Sequence, residues 1–304
     1  MEYSFPHYLL AKQTVDDRAL NRQVYEAMVA RLPSRPLRIV EVGAGVGTML
    51  ARLLRWQALM DADYVAVDQV AENIAFALDW FPRWAEETLR AGRARFRVER
   101  SGTKRVNIWD DRHRVGATFV QADVFDFIRH TSEKADLLIA HAFLDLLPLP
   151  ESLPGLFSLL KPGGLAWLTA NFDGVTALEP ALDPELDAKI ERLYHASMDA
   201  RPTGGDSRTG RHLFAHLGAV GAEILAAGAS DWVVFPRNGG YPDDEAYFLQ
   251  FILHFFESSL TGHPGLTPAA FTAWLAGRRR QAALGELVYI AHQTDFLVKV
   301  NPAR

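Results

Sequence analysis

The sequence predicts a doubly wound α/β protein, a mainly parallel sheet with helices over both faces. Three observations predict it. Short apolar runs rich in β-branched residues alternate with segments of helical period from residue 37 to about 170. A turn with glycine at every second position, Gly43-Ala44-Gly45-Val46-Gly47, directly follows the first run. Polar or acidic residues, among them Asp68 and Asp123, stand just past the ends of later runs.

The elements follow in order. Residues 14–32 carry Val15, Leu20, Val24, Ala27, Met28 and Leu32 at amphipathic-helix spacing, and Pro33 and Pro36 end that helix. Strand one is 37–42 and helix one about 47–60. Strand two is 64–67, ending at Asp68, and helix two is 70–91. Alternating segments at 94–99 and 104–109 about Ser101-Gly102 read as a hairpin. Strand three is 116–121, helix three 124–130, and strand four 136–140. A helix at 151–160 ends at Lys161-Pro162-Gly163-Gly164, before strand five at 165–170. Beyond it come a helix at 183–198, a polar loop from Arg201 to Thr209, a helix at 210–218 and a strand at 222–227. Helices at 243–260 and 268–284 precede a last strand pair within 287–300. The predicted organisation is an N-terminal helical lid, 1–36, and one domain, 37–304. That domain has a hairpin insertion at about 93–114 and helical insertions at about 176–206 and 237–284.

With 304 residues, 49% of them hydrophobic, the chain can bury a sizeable core. A net charge of -5 argues against nucleic-acid binding through a basic surface. The absence of cysteine excludes disulfides, thiolate metal sites and cysteine nucleophiles. No metal site is predicted. The N-terminus does not read as a signal peptide, and no apolar run reaches membrane-spanning length, so a soluble cytoplasmic protein without membrane contact is expected. The oligomeric state is open.

The glycines let the chain turn sharply and let a ligand approach the main chain, beside the N-terminus of the next helix. Open α/β sheets bind ligands at the carboxyl ends of their strands. Asp68 ends strand two and is suited to accept from a ribose diol. Asp123 is suited to accept from an adenine amino group, or to cap helix three; the two roles are compatible. A dinucleotide fingerprint needs glycine at 48, where Thr48 stands.

Together, the Glu41-x-Gly43-x-Gly45-x-Gly47 motif, Asp68, Ala122-Asp123 and Leu160-Lys161-Pro162-Gly163-Gly164 resemble the class I S-adenosylmethionine-dependent methyltransferases. The resemblance covers about 37–172 and, more loosely, the end of the chain. It implies a seven-stranded, Rossmann-like sheet with the last strand antiparallel, and S-adenosylmethionine as cofactor. Glu41, Gly43, Gly45 and Gly47 would flank its methionyl part, Asp68 would take the ribose hydroxyls, Asp123 and Val124 would sit at the adenine, and Ala44 and Gln69 would also touch the cofactor. His141 would lie near the methionine and the substrate. An imidazole titrates near neutral pH, so His141 is also the acid–base candidate; the alternative is a histidine that only hydrogen-bonds its surroundings. Phe143, Asn171, Tyr194, Arg211, Tyr241 and His254 are the candidates for a substrate pocket. The expected reaction is methyl transfer to a small-molecule acceptor. The alternatives are a non-catalytic scaffold that binds the same cofactor, and a dinucleotide-dependent oxidoreductase.

Overall fold

The computed structural model describes residues 3–90, 96–202 and 204–300. Its centre is five parallel strands. β1 (Leu37–Val42) lies between β2 (Asp61–Asp68) and β6 (Ala135–His141); β2 pairs outward with β5 (Arg114–Gln121), and β6 with β7 (Leu160–Glu179). β6 is buried along its whole length and β1 everywhere but Arg38, as parallel strands covered on both faces must be. Beyond β7 comes β10 (Val288–Val300), antiparallel to β7 and to β8 (Ala222–Ala229). This gives the order β5-β2-β1-β6-β7-β10-β8, the expected seven strands with the last in sequence antiparallel. The hairpin β3 (Arg97–Ser101) and β4 (Arg105–Trp109) extends the sheet beside β5. With β9 (Trp232–Val234) on β10, the sheet has ten strands among the described residues. The predicted hairpin is thus present, its first residues, 93–95, lying outside the described residues.

Three apolar clusters surround this sheet. One lies under α3 (Arg22–Val29), α4 (Thr48–Arg55) and α5 (Ala71–Leu89). The opposite face is covered by α6 (Val124–His130), α7 (Ser152–Phe157) and α9 (Thr209–Ala219). The third forms a cap that joins α1 (Phe5–Ala11) and α2 (Gln13–Ala19) to α8 (Pro184–Asp199), α10 (Glu245–Leu260) and α11 (Pro268–Ala283). The Phe248, Phe251, Ile252 and Phe256 stripe of α10 is the core of this cap.

Four expectations change. The helix predicted over 14–32 is two: α2 stops at Ala19, and Asn21 restarts the chain as the N-cap of α3, its side chain accepting from Val24 N. The final strand pair is one strand, β10, broken by bulges at His292 and Asp295 that interrupt its alternation. The helical insertion expected over 176–206 opens as sheet, because β7 runs to Glu179.

Lys161-Pro162-Gly163-Gly164 is not a helix end either, since α7 stops at Phe157. Leu160 faces Ala135 and Leu165 faces Leu137, so the four residues bulge from the start of β7. The Lys161 ammonium donates to both oxygens of Asp136 at 2.9 Å, and Asp136 also accepts from Arg38 N at 2.9 Å and from Arg35. One carboxylate thus ties the start of β1 to the bulge. Asp136→Ala should lower stability by about 2 kcal/mol in urea unfolding, because it leaves the Arg38 N–H without its partner.

Candidate functional site

Strand order reverses around β1, whose neighbours lead to opposite halves of the sheet, so a crevice opens past the carboxyl ends of β1 and β6. The glycine turn occupies it. Gly43, Gly45 and Gly47 have φ of 66°, 54° and 84°, a region that side chains disfavour. Gly43 and Gly45 also meet close neighbours: a Cβ on Gly43 would run into the Phe143 ring, and one on Gly45 would lie 2.9 Å from Leu9 Cδ1 of α1. Ala44 N donates to Val67 O at 3.0 Å, which pins the turn to β2.

Asp68 locks the turn. Its Oδ2 accepts from Gly45 N at 2.8 Å, and its Oδ1 from Val70 N at 2.8 Å and Asn73 Nδ2 at 3.1 Å. A carboxylate offers about four acceptor positions, so one on Oδ2 is open. The Asn73 carbonyl, sealed in the same group, has no hydrogen-bond partner among the described residues. Asp68 and Asn73 together therefore supply the acceptors a diol needs. Gln69 is exposed beside them. Asp123 caps α6, its Oδ1 accepting from Phe125 N at 2.9 Å and Asp126 N at 3.2 Å, while Val124 is buried at the helix start. Both stand past the end of β5, the next strand along.

His141 ends β6 with both ring nitrogens engaged: Nδ1 lies 2.9 Å from Thr169 Oγ1 and Nε2 2.9 Å from Asp16 Oδ2. Asp16 is fully buried and also accepts from Trp232 Nε1 at 2.9 Å, with Lys12 Nζ at 3.5 Å and an Arg52 nitrogen at 3.6 Å. Burial alone would raise its carboxyl, yet Lys12, His141 and Arg52 hold it below the usual carboxylate range. An ionised Asp16 can only accept, so Nε2 of His141 carries the hydrogen and Nδ1 accepts from the Thr169 hydroxyl. Burial pushes the imidazole down to about 4 against the pull of Asp16, so it is neutral at pH 7. The acid–base role expected of His141 has no open nitrogen here. Its place is in the hydrogen-bonded link between α2 and the sheet.

The other candidates separate. Phe143 lies on Gly43, at the crevice. Tyr194 is buried in the cap, stacked on Phe256 with centroids 4.0 Å apart. Asn171 instead bridges β7 and β10, donating to Leu168 O at 3.1 Å and Thr294 O at 2.8 Å. The Arg211 guanidinium is half-exposed and bound to Asp173 at 2.6 Å. Tyr241 donates to Leu287 O at 2.8 Å, and His254 stacks on Tyr3 with centroids 4.1 Å apart. These four hold structure together rather than line the crevice. No metal site is predicted from the sequence, in which His212-Leu213-Phe214-Ala215-His216 sets two imidazoles four residues apart. Asp206, His212 and His216 bring metal-ligating atoms within 4.8 Å of one another on the outer side of α9, with His212 Nδ1 2.6 Å from Asp206 Oδ2. Asp16, Lys12, Arg52 and Trp232 were also missed as a group. The one sequence signal was the Tyr8, Lys12, Asp16 spacing of four, which places all three on one face of the α1–α2 segment.

Glu41 lies beneath the turn and accepts from the Tyr64 hydroxyl at 2.7 Å. Burial pushes it up to about 8, against Tyr64 and Arg52. The native protein therefore keeps a proton that the unfolded chain releases near its ordinary value of 4.5. Stability from this group is complete below that value and is lost as pH rises through 8. An amide in its place cannot titrate. In thermal melts between pH 5 and 8.5, the melting temperature of Glu41→Gln relative to wild type should rise by on the order of 5 °C. Parallel curves would show that Glu41 is ionised throughout.

No protein-family model and no curated protein matches the chain. Solved structures do. A Bacillus halodurans protein designated a methyltransferase matches 93% of this chain and 100% of its own, with a TM-score of 0.50 and 11% identity. YjhP of E. coli covers 96% of this chain and 98% of its own at a TM-score of 0.49 and 15% identity. A Haemonchus contortus phosphoethanolamine N-methyltransferase, solved with S-adenosylhomocysteine, covers 98% of this chain and 58% of its own at a TM-score of 0.46 and 12% identity. With the strand order and the glycine turn at its switch point, the Bacillus match establishes the architecture: the chain has the fold of the class I S-adenosylmethionine-dependent methyltransferases.

Proposed function

We propose that this protein transfers the methyl group of S-adenosylmethionine to a small-molecule acceptor. The observation that carries the reading is the joint placement of the Gly43–Gly47 turn and the Asp68–Asn73 acceptor group at the switch point of the sheet. The residues fit the cofactor. Three positive-φ glycines admit a ligand against the main chain, and the unpartnered Asn73 carbonyl beside Asp68 is a buried acceptor that calls for a donor. Gly43, Ala44, Gly45 and Gly47, with Glu41 beneath them, would flank the methionyl part. Asp68 and Gln69 would meet the ribose, Asp123 and Val124 the adenine, and the end of β6 at His141 the methionine. When bound, the cofactor supplies an already electrophilic methyl group, so the protein need only orient and enclose.

Enclosure comes from the N-terminal segment. Residues 1–36 act as a lid: Leu9 sits on Gly45, Tyr8 packs into the cap, and Asp16 fastens α2 to His141. Phe143 covers Gly43 from the other side. Such a crevice excludes water from a bound small molecule. A dinucleotide-dependent oxidoreductase is less well supported, because the third glycine of its fingerprint is replaced by Thr48, the first residue of α4.

Titration calorimetry tests the reading. S-adenosylmethionine and S-adenosylhomocysteine should bind with one site per chain, and NAD should not. Asp68→Asn should weaken S-adenosylhomocysteine about tenfold or more, the loss expected for a hydrogen bond to a charged acceptor. Binding of NAD alone would overturn the proposal. Binding of the sulfonium compound with no room for an acceptor in its crystal complex would favour the non-catalytic scaffold.

A further inference from the structure

Under the cap lies a set of polar groups that neither the glycine turn nor the Asp16 link uses. Tyr8 on α1, Tyr194 on α8 and Tyr289 on β10 are only 6%, 8% and 4% exposed. Their rings lie in the apolar cluster of the cap, Tyr8 stacking on Phe251 at 4.5 Å and Tyr194 on Phe256 at 4.0 Å. The three lie close enough to sense each other. Burial raises all of them, Tyr289 and Tyr194 raise Tyr8 further, and Tyr194 raises Tyr289.

Two charged groups face the same set. Asp145 Oδ1 and Arg201 Nη1 are both sealed from solvent, and neither has a hydrogen-bond partner among the described residues. Both side chains act on Tyr194, Asp145 disfavouring and Arg201 favouring its ionisation. They also flank one point of the chain: a Cβ on Gly205 would lie 3.3 Å from Arg201 Cδ and 3.4 Å from the Asp145 carbonyl oxygen. Asp145 stands two residues past Phe143, which lies on Gly43, so this group adjoins the glycine turn. Lys12, almost fully buried, points an ammonium to within 3.5 Å of Asp16 at the same side. A carboxylate and a guanidinium of opposite charge, each with one atom sealed from solvent and unpartnered among the described residues, carry a desolvation cost that a ligand can offset. The ligand must bring an anion to one and a hydrogen-bond donor to the other.

We propose that Arg201 and Asp145 form the acceptor site, which takes a small carboxylic acid bearing a hydroxyl group, with Arg201 receiving the carboxylate and Asp145 the hydroxyl hydrogen. The assignment rests on the methyl-transfer reading above. Calorimetry on the protein saturated with S-adenosylhomocysteine tests it, using 4-hydroxybenzoate, 3-hydroxybenzoate, 4-hydroxyphenylacetate and 3-hydroxybutyrate as probes. Each is compared with its methyl ester. At least one acid should bind with Kd of about 1 mM or tighter, and its ester about tenfold more weakly. Arg201→Gln should erase the difference between acid and ester, and Arg201→Lys should restore most of it. Asp145→Asn should weaken 4-hydroxybenzoate but leave benzoate unchanged. A thermal melt of each variant reports its folding. If S-adenosylhomocysteine binds but acids and esters bind alike, or none binds, this assignment is overturned. If S-adenosylhomocysteine itself does not bind, it is the methyl-transfer reading that fails.

Discussion

The fully buried carboxylate of Asp16 is the constraint on which the arrangement of the site depends. A lone charge in that position would be costly, so every element around it must deliver a donor. β6 delivers His141, β9 delivers Trp232, the junction of α1 and α2 delivers Lys12, and α4 delivers Arg52. Because α4 begins at the glycine turn and β6 ends at the crevice, one side chain registers the N-terminal segment against both walls of the candidate site. Arg52 is fixed in turn by Asp17 at 2.5 Å, so consecutive acidic residues of α2 hold one guanidinium from two sides. Tyr8, Lys12 and Asp16 share a face, and fixing Asp16 therefore also aims Tyr8 into the cap.

The parts of the fold that could be read from the sequence were those whose pattern reports burial directly. Strand 37–42, the hairpin about Ser101-Gly102, helix 124–130 and the α10 stripe stand where their periods place them. The parts that misled have local causes. Val15, Leu20 and Val24 keep a helical period across residues 20–21, but the side chain of Asn21 caps a new helix there, and capping overrides a period that would otherwise continue. In β10 the bulged Asp295 turns its carboxylate inward to accept from Ala170 N at 2.7 Å, Asn21 N at 2.8 Å and the Ser230 hydroxyl at 2.6 Å. A buried acid inside a strand looks like a strand end when only the residue types are visible.

The candidate site divides in the same way. The glycines and Asp68 were legible because backbone conformation and strand-end position follow from residue type and spacing. Asn171, Arg211, Tyr241 and His254 were not, because nothing in their neighbours along the chain tells which of them looks inward near the crevice. Asp16 was the hardest case. Within an amphipathic segment an acidic residue reads as solvated, and its four partners lie on four separate elements. Lys161 shows the converse: its glycine-rich stretch reads as a plain turn, while its ammonium joins the start of β1 to that of β7 through Asp136.

A polar fastening suits the lid role proposed for the N-terminal segment. If α1 and α2 were held only by apolar contacts, opening would expose that surface to water at full hydrophobic cost. Asp16, Lys12 and Arg52 recover hydration as they separate, which offsets the lost Coulombic attraction, so a buried ion pair adds little net stability while specifying geometry strongly. The charge cluster thus defines the register of the arrangement, while Tyr8, Ala11 and Val15 supply its apolar stability. The apolar part of the seal is correspondingly small where it matters, with Leu9 on Gly45 and Phe143 near Gly43 covering the turn. Opening of the proposed lid would release Leu9 from Gly45 and the charge cluster, and would also part Tyr8 from Phe248 and Phe251 of α10.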